Sequence, residues 1–326
     1  MPLNVHGDNH RWWVLGTVGI GIFMSTLDAS IVNISLPTIM GYFKASLALS
    51  EWVILSYLLV ITGLLLPLGR LADMMGRKKI LRLGFMVFSL GSALCALSQN
   101  PPQLILFRSL QAVGAAMLMA NSFAIITAVF PSTERGRALG INGTIVAIGF
   151  TVGPTLGGIL VSTLGWRSIF YVNVPVGIMG TIMAAFVLKE HLVSSPLENK
   201  QSFDFLGAAL IVTGLTALLL GLTMGQEGDW GRPHVIVELA VAATTLALVP
   251  LWEARTSQPL IDLTLFKNRL FSFGNIVGFL SFLGMSANLF LMPFFLQLSL
   301  GYSPLHAGLL MTPTALAITV VAPLSG

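Results

Sequence analysis

Long apolar stretches separated by short polar segments dominate this chain. A helix that crosses the hydrocarbon core of a bilayer needs about 20 consecutive apolar residues. Ten stretches meet this length approximately, and each predicts one membrane-spanning helix: 12–36, 52–69, 80–98, 104–129, 138–162, 167–188, 205–225, 235–252, 270–296 and 305–325. The pattern therefore predicts an all-α polytopic membrane protein.

The composition supports a membrane protein. Hydrophobic residues make up 55% of the 326 residues and charged residues 9%, whereas a soluble domain has about 25% charged residues. The one cysteine, Cys95, lies in an apolar stretch, cannot form an internal disulfide, and is interpreted as a small buried hydrophobe. The net charge of +4 comes from short clusters between apolar stretches and does not indicate nucleic-acid binding.

The placement of lysine and arginine predicts the orientation of the chain. If the N-terminus is cytoplasmic, thirteen of these residues lie in cytoplasmic segments, and only Lys44, Arg167 and Arg232 lie outside. Cytoplasmic loops of membrane proteins carry an excess of positive residues. We therefore expect a plasma-membrane protein with its N-terminus in the cytoplasm.

Two polar or mixed segments, 191–203 and 253–269, divide the chain. They predict an N-terminal six-helix bundle over 1–190, a linker with two accessory helices over 191–262, and a third region over 263–326. Transporters are often built from internal repeats. If the third region begins a second six-helix repeat, that repeat stops after two helices, and we expect a truncated copy.

The first and fourth spans each contain a charged residue, Asp28 and Arg108. A charge inside a span costs roughly 2.5–3.5 kcal/mol on insertion scales and indicates function by default. At about 1.5 Å per residue, Asp28 lies roughly 12 Å and Arg108 about 6 Å below the outer surface. We expect a buried pair or a polar network that includes Asn33 and Gln111. A purely structural ion pair, or an Arg108 that extends to the outer interface, remains an alternative.

A basic, glycine-containing loop follows the second span, from Gly69 to Lys79. Its positive charge fits the predicted orientation, and Gly69 and Gly76 would allow a tight turn and close helix packing. Asp73 adds nothing to the orientation and is therefore a candidate functional residue.

Small residues are concentrated in the fifth span, at Gly149, Gly153, Pro154, Gly157 and Gly158. Glycines four residues apart allow helix backbones to approach closely, and the sequence predicts that these residues share one face. Pro154 is expected to kink the helix and free a carbonyl group. Generic glycine packing is the alternative interpretation.

These motifs, with Leu27–Pro37 in the first span and Gly165–Pro175 at the beginning of the sixth, resemble the major facilitator superfamily. Within it they resemble the fourteen-helix drug:proton antiporters of the EmrB/QacA type. Met74 and Ala112 depart from the usual residues, which are basic and glycine respectively. The resemblance implies a six-helix bundle, two accessory helices and part of a C-terminal bundle, truncated after the tenth helix.

The resemblance also implies a function, namely proton-coupled efflux of amphipathic or cationic compounds by alternating access. For this function, the charges within the spans make Asp28 and Arg108 the expected proton-coupling residues, and Asn33 and Gln111, which share their motifs, are expected in the substrate or polar network. Two further sets carry implied roles, a conformational latch (Gly69, Asp73, Gly76, Arg77, Lys78) and an antiporter motif (Gly149, Gly153, Pro154, Gly157, Gly158). In the latch, the resemblance implies that Asp73 pairs with Arg77 and with the loop 134–137.

No ATP-binding phosphate loop is found in the sequence, so we expect the proton gradient to supply the energy, without a cofactor. Neither metal-ligand spacing nor a nucleophile–base arrangement indicates an enzyme. The expected partners are the lipid bilayer, small amphipathic substrates and protons, with a periplasmic adaptor protein as a further candidate and the bacterial inner membrane as the location. Two alternatives remain: a dedicated exporter of one metabolite, lipid or antibiotic, and a transport-inactive fragment.

Overall fold

The computed structural model describes residues 10–189, 204–226, 230–256, 260 and 263–325. This part of the chain forms eleven α-helices with short connections, a 3-10 turn over Leu263–Lys267 and a π-helical turn over Phe295–Ser299. The helices are α1 (His10–Phe43), α2 (Leu47–Met75), α3 (Arg77–Leu97), α4 (Pro101–Val129), α5 (Ser132–Leu164), α6 (Ser168–Tyr171), α7 (Asn173–Val187), α8 (Phe205–Gln226), α9 (Pro233–Glu253), α10 (Arg269–Phe294) and α11 (Pro304–Ser325).

The predicted all-α polytopic fold is confirmed. Within the described ranges, nine helical stretches are long and apolar enough to cross a membrane, with α6 and α7 counted together. Helix α11 corresponds to the tenth predicted span. Helices α1 and α5 have 34 and 33 residues, more than a bilayer core requires, and each extends beyond its predicted span.

Helix α1 is the central helix of the bundle. It packs against α4, α5 and α7, and its buried residues, such as Val14, Val18 and Ile31, lie on several faces. A helix that is apolar or small on all sides is suited to such an interior position. The carboxylate of Asp28 is therefore buried in the bundle rather than placed against lipid.

One face of α5 packs directly on α1 through glycines. A Cβ atom added at Gly149 or Gly153 would overlap the side chain of Thr26 or Ser30 respectively, and one at Gly157 would overlap Ile34. The hydroxyl of Ser30 also donates a hydrogen bond to the carbonyl of Gly149 at 3.1 Å. The close approach predicted for these three glycines is confirmed.

The prediction of a single small-residue face on α5 is wrong for Pro154 and Gly158. A Cβ at Gly158 would overlap the backbone of Pro304 in α11, and the carbonyl of Pro154 contacts Gly308 of the same helix. Positions 154 and 158 each follow a glycine of the first face by one residue, which turns them about 100° around the helix. The motif thus joins α5 to both α1 and α11.

The predicted basic loop is almost entirely helical. Helix α2 continues to Met75 and α3 begins at Arg77, so Gly76 alone connects them. Gly76 has a φ of +99°, which glycine adopts readily because it has no Cβ. Gly69 instead lies within α2, where an added Cβ would make only an ordinary contact at 3.9 Å with Ala120. The predicted turn role is therefore wrong for Gly69.

The sixth span is interrupted at Val172, between α6 and α7. Proline has no backbone N–H, so Pro175 cannot donate the helical hydrogen bond to the carbonyl of Tyr171. Asn173 begins the second helix beside this break and is 1% exposed. The irregular backbone directs an amide side chain into the bundle.

The remaining helices lie beside this six-span bundle. Helices α8 and α9 pack on each other, and α8 also contacts α2, while α10 contacts α1 and α11 packs on α5. The predicted linker 191–203 lies outside the described residues. The division at 1–190, 191–262 and 263–326 stays a prediction.

Candidate functional site

The carboxylate of Asp28 is the centre of a buried polar network. Asp28 has no exposed surface. One carboxylate oxygen accepts hydrogen bonds from Gln111 Nε2 and Asn173 Nδ2, both at 2.8 Å, and the other forms an ion pair with Arg108 Nη1. The structure thus brings together Asp28, Arg108 and Gln111, as expected.

Arg108 is held on several sides and is 1% exposed. Its Nε donates to the carbonyl of Val53 at 3.1 Å, and its Nη1 donates to Gln111 Oε1 at 2.7 Å. The guanidinium carbon lies 4.0 Å from the ring centroid of Tyr57, which is within cation–π range. Arg108 therefore points into the bundle, and the alternative in which it extends to the outer interface is wrong.

Ser92 completes the network on the far side of Asp28. Its hydroxyl accepts hydrogen bonds from Gln111 and Asn173 at 3.1 Å each and donates to the carbonyl of Phe170 at 2.9 Å. The hydroxyl of Tyr57 donates to the carbonyl of Ser25 at 3.2 Å. Buried polar groups need such partners, and five helices, α1, α2, α3, α4 and α7, supply this network.

Sequence reasoning missed three members of the network: Asn173, Ser92 and Tyr57. Asn173 carried a usable signal, since it is an amide in an apolar stretch two residues before Pro175. Ser92 and Tyr57 carried none, because a serine or tyrosine in a span is common and their partners come from distant helices.

Asn33 is not part of the Asp28 network, and that prediction is wrong. Asn33 follows Asp28 by five residues, which turns it about 140° around α1. Its Nδ2 donates to the carbonyl of Ala29 at 3.0 Å, while its Oδ1 is buried without a partner in the described part of the chain. Asn33 instead lines a cavity on the neighbouring face of α1.

This central cavity has a volume of about 410 Å³, within the usual range for small-molecule sites. Helices α1, α2, α4, α5, α8 and α10 form its mainly apolar wall. The polar and charged groups of the wall are Asn33, Glu51, Tyr57, Arg108, Thr223, Gln226 and Ser286. Arg108 thus contacts both the cavity and Asp28, whereas Asp28 does not line the cavity.

A second cavity of about 370 Å³ lies between α5, α10 and α11. Met285, Met292 and Met311 contribute to its wall, and Phe150 and Leu289 line both cavities. Methionine side chains are flexible and adapt to varied apolar shapes. The two cavities together offer a charged region next to an adaptable apolar region.

The predicted latch residues lie at the other end of the bundle. Arg77 pairs with Asp73 at 2.8 Å and donates a hydrogen bond to the carbonyl of Ala124 in α4 at 3.1 Å. This pair ties α2, α3 and α4 together across the Gly76 connection. Asp73 and Arg77 therefore meet as expected.

The loop 134–137, the other expected partner of Asp73, does not join the Asp73–Arg77 pair, and neither does the latch residue Lys78. Lys78 Nζ donates to the carbonyl of Ala185 at 2.8 Å, in the last turn of α7, where a cation is favourable next to the helix C-terminus. Glu134 pairs with Arg11 at 3.1 Å rather than joining the Asp73 pair. In this structure Lys78 caps α7, and Glu134 ties α5 to α1.

Within the ranges that the structure describes, no group of three or more histidine, cysteine or acidic side chains could hold a metal ion.

Replacing Asn173 by alanine is expected to destabilise the protein, because Asp28 and Ser92 each lose a hydrogen-bond donor. Leaving buried groups unsatisfied costs about 1–3 kcal/mol. The measurement is thermal unfolding in detergent. Asn121→Ala is the control, since Asn121 is equally buried but, among the described residues, its side chain binds only the carbonyl of Met117 in its own helix. Equal losses in the two variants would contradict the assignment.

Comparison with known proteins identifies the family of this chain. The model of the Major Facilitator Superfamily matches residues 18–326. The chain is 40% identical to the riboflavin transporter RibZ of Clostridioides difficile over 97% of the chain and 67% of RibZ. It is 37% identical to the multidrug resistance protein Stp of Mycobacterium tuberculosis over 94% of the chain and 57% of Stp.

Solved structures show the same fold. The proton:xylose symporter XylE superimposes with a TM-score of 0.61 and 14% identity, over 98% of this chain and 70% of XylE. The chain thus spans about half to two thirds of its curated relatives, from 54% to 67% of those compared. The family match and the shared fold lead to one conclusion: the chain belongs to the Major Facilitator Superfamily of membrane transporters and is not an enzyme.

Proposed function

We propose that this protein exports amphipathic, often cationic compounds in exchange for protons, by alternating access. One observation carries the proposal. Arg108 contacts the cavity and, through its ion pair, the buried carboxylate of Asp28. A single side chain therefore connects the candidate substrate site with the candidate proton site.

The ion pair supplies a physical reason for exchange. While Asp28 is ionised, it compensates the charge of Arg108, and a cation can occupy the cavity. When Asp28 binds a proton, Arg108 becomes an uncompensated cation at the cavity wall. Charges interact strongly in a medium of low dielectric constant, so a bound cation is then repelled. Proton binding and cation binding thereby oppose each other, as an antiporter requires.

The proposal also covers the location, the orientation and the transporter family of the protein. We place it in the bacterial inner membrane with a cytoplasmic N-terminus, among the fourteen-helix drug:proton antiporters. The motif Gly149–Gly158 in α5 supports export as the direction. The proton gradient supplies the energy, worth about 2.3 kcal/mol per charge per 100 mV, with no cofactor. Lipid, protons and amphipathic substrates are the proposed partners, with a periplasmic adaptor protein as a further one.

A second candidate is a dedicated transporter of one metabolite. The 40% identity to a protein named as a riboflavin transporter favours it. Riboflavin combines a flat ring system with a hydroxylated chain, and it would also fit a mainly apolar cavity with a few polar groups. Both candidates use the same cavity and differ in the range of ligands accepted.

Proton flux in liposomes tests the proposal. Vesicles that contain the purified protein and a trapped pH dye receive ethidium or riboflavin in separate experiments. Proton movement driven by ethidium supports efflux of varied cations, whereas movement driven by riboflavin alone supports the dedicated transporter. No proton movement with any substrate would favour the remaining alternative, a membrane protein that does not transport.

We further propose that Asp73 and Arg77 form a conformational latch at the Gly76 connection. Asp73→Asn is expected to lower the transport rate severalfold by weakening this ion pair, with little change in substrate affinity. Rates come from the liposome assay and affinities from equilibrium binding. Glu134→Gln, which removes the separate pair with Arg11, is the control. An Asp73→Asn variant that loses only affinity would argue against a latch.

A further inference from the structure

A second carboxylate, Glu51, faces the central cavity from the beginning of α2. Glu51 is half-buried and lines the cavity together with Ile54, Leu55 and Leu58 of the same helix. Within the described part of the chain, its carboxylate forms neither an ion pair nor a hydrogen bond. A charged group placed in a largely apolar cavity is available to a ligand.

The charged side chains around the cavity give this site a net negative charge. Glu51 and Arg108 are the ionisable groups with opposite charges in its wall. Arg108 is already compensated, because it is paired with Asp28 and has no other carboxylate partner in the described residues. The charge of Glu51 is not compensated in this way. An organic cation would therefore find its counter-charge at Glu51.

Asp28 cannot take this role in the described state. It has no exposed surface, and Arg108 and Tyr57 line the cavity where Asp28 does not. A substrate in the cavity would meet the guanidinium of Arg108 before it met the carboxylate of Asp28. Selection of positive charge and binding of the coupling proton therefore require different residues.

We propose that Glu51 is the specificity-determining residue that selects lipophilic organic cations in the central cavity, while Asp28 serves the proton. This inference rests on the proposed efflux function and names its substrate class. The rest of the wall fits such ligands, since Leu219, Leu222 and Phe290 offer apolar and aromatic surface. Cations with a delocalised charge lose little hydration on entering an apolar site, and aromatic rings attract them.

Two ions of nearly the same size and shape but opposite charge, tetraphenylphosphonium and tetraphenylborate, test this inference. Binding of each is measured at equilibrium to the purified full chain in lipid nanodiscs at pH 8, with no proton gradient. The variants are Glu51→Gln, which removes the charge, and Glu51→Asp, which keeps it. Glu238→Gln is the control, since Glu238 lies in α9 and does not line the cavity.

We expect wild type to prefer the phosphonium ion. Glu51→Gln should weaken phosphonium binding by about tenfold, equivalent to about 1.4 kcal/mol, and leave borate binding unchanged or stronger. Glu51→Asp and Glu238→Gln should keep the wild-type preference. Equal changes for both ions, or no change for either, would overturn the assignment of Glu51.

The binding test is independent of proton coupling. If phosphonium selectivity depends on Glu51 but the liposomes show no proton movement, the cation site stands and the efflux proposal fails. If proton movement occurs but Glu51→Gln binds both ions as wild type does, efflux stands and another residue selects charge. The two failures are therefore distinguishable.

Discussion

Replacing Asp28 by asparagine is expected to reduce substrate-driven proton movement to the level of empty liposomes. Asparagine keeps the size of the side chain and can still accept hydrogen bonds from Gln111 and Asn173, which Asp28 accepts at 2.8 Å. It cannot bind and release a proton at any working pH. If the Asp28 carboxylate is the coupling site, exchange stops while the protein remains in the membrane.

The measurement is dye-reported proton flux with ethidium, at equal protein content per vesicle. Glu238→Gln is the comparison, since it removes a carboxylate that does not line the cavity and leaves the Asp28–Arg108 pair intact. That variant should move protons with ethidium as wild type does. Full coupled flux in Asp28→Asn would remove Asp28 from the mechanism.

The Asp28–Arg108 pair could be predicted because charges within apolar spans are few and their depth can be counted. Both residues belong to long helices with a regular rise of about 1.5 Å per residue. Gln111 follows Arg108 by three residues, which places it on the same side of α4 and within reach of the same carboxylate. The regular periodicity of the helices was therefore sufficient to predict that these three residues meet.

The residues that were placed wrongly lie on a different face of their helix from the neighbours with which they share a motif. Asn33 belongs to the same motif as Asp28, but five residues turn it to another face of α1. Gly158 follows Gly157 by one residue and packs on α11 instead of α1. Nearness in a motif does not imply a shared face, because each residue turns the helix by about 100°.

The residues that were missed belong to the site through packing between helices that are distant in the sequence. Asn173 reaches Asp28 across 145 positions of the chain, through a helix break that hydropathy does not report. Glu51 lies close to the predicted start of the second span, where a charge is ordinary, and only the cavity gives it a role. Hydropathy also ended the second span at residue 69, whereas α2 continues to Met75 through the charged residues Arg70 and Asp73.

Replacing Arg108 by glutamine is expected to be among the most destabilising single changes in the bundle. Arg108 is 1% exposed, and its removal leaves the buried carboxylate of Asp28 without a counter-charge. Breaking a buried ion pair from one side costs about 3–5 kcal/mol. Unfolding followed by heat or by denaturant in detergent measures this loss. Arg167→Gln is the control, since Arg167 is more exposed and has no carboxylate partner in the described residues.

The double variant Asp28→Asn with Arg108→Gln separates stability from coupling. It contains no uncompensated buried charge, so we expect it to recover most of the stability that either single variant loses. Neutral replacements of a whole buried pair are often tolerated. A purely structural pair would then allow coupled transport to recover together with stability. If Asp28 carries the proton, the double variant is stable but moves no protons, because neither asparagine nor glutamine can bind and release one.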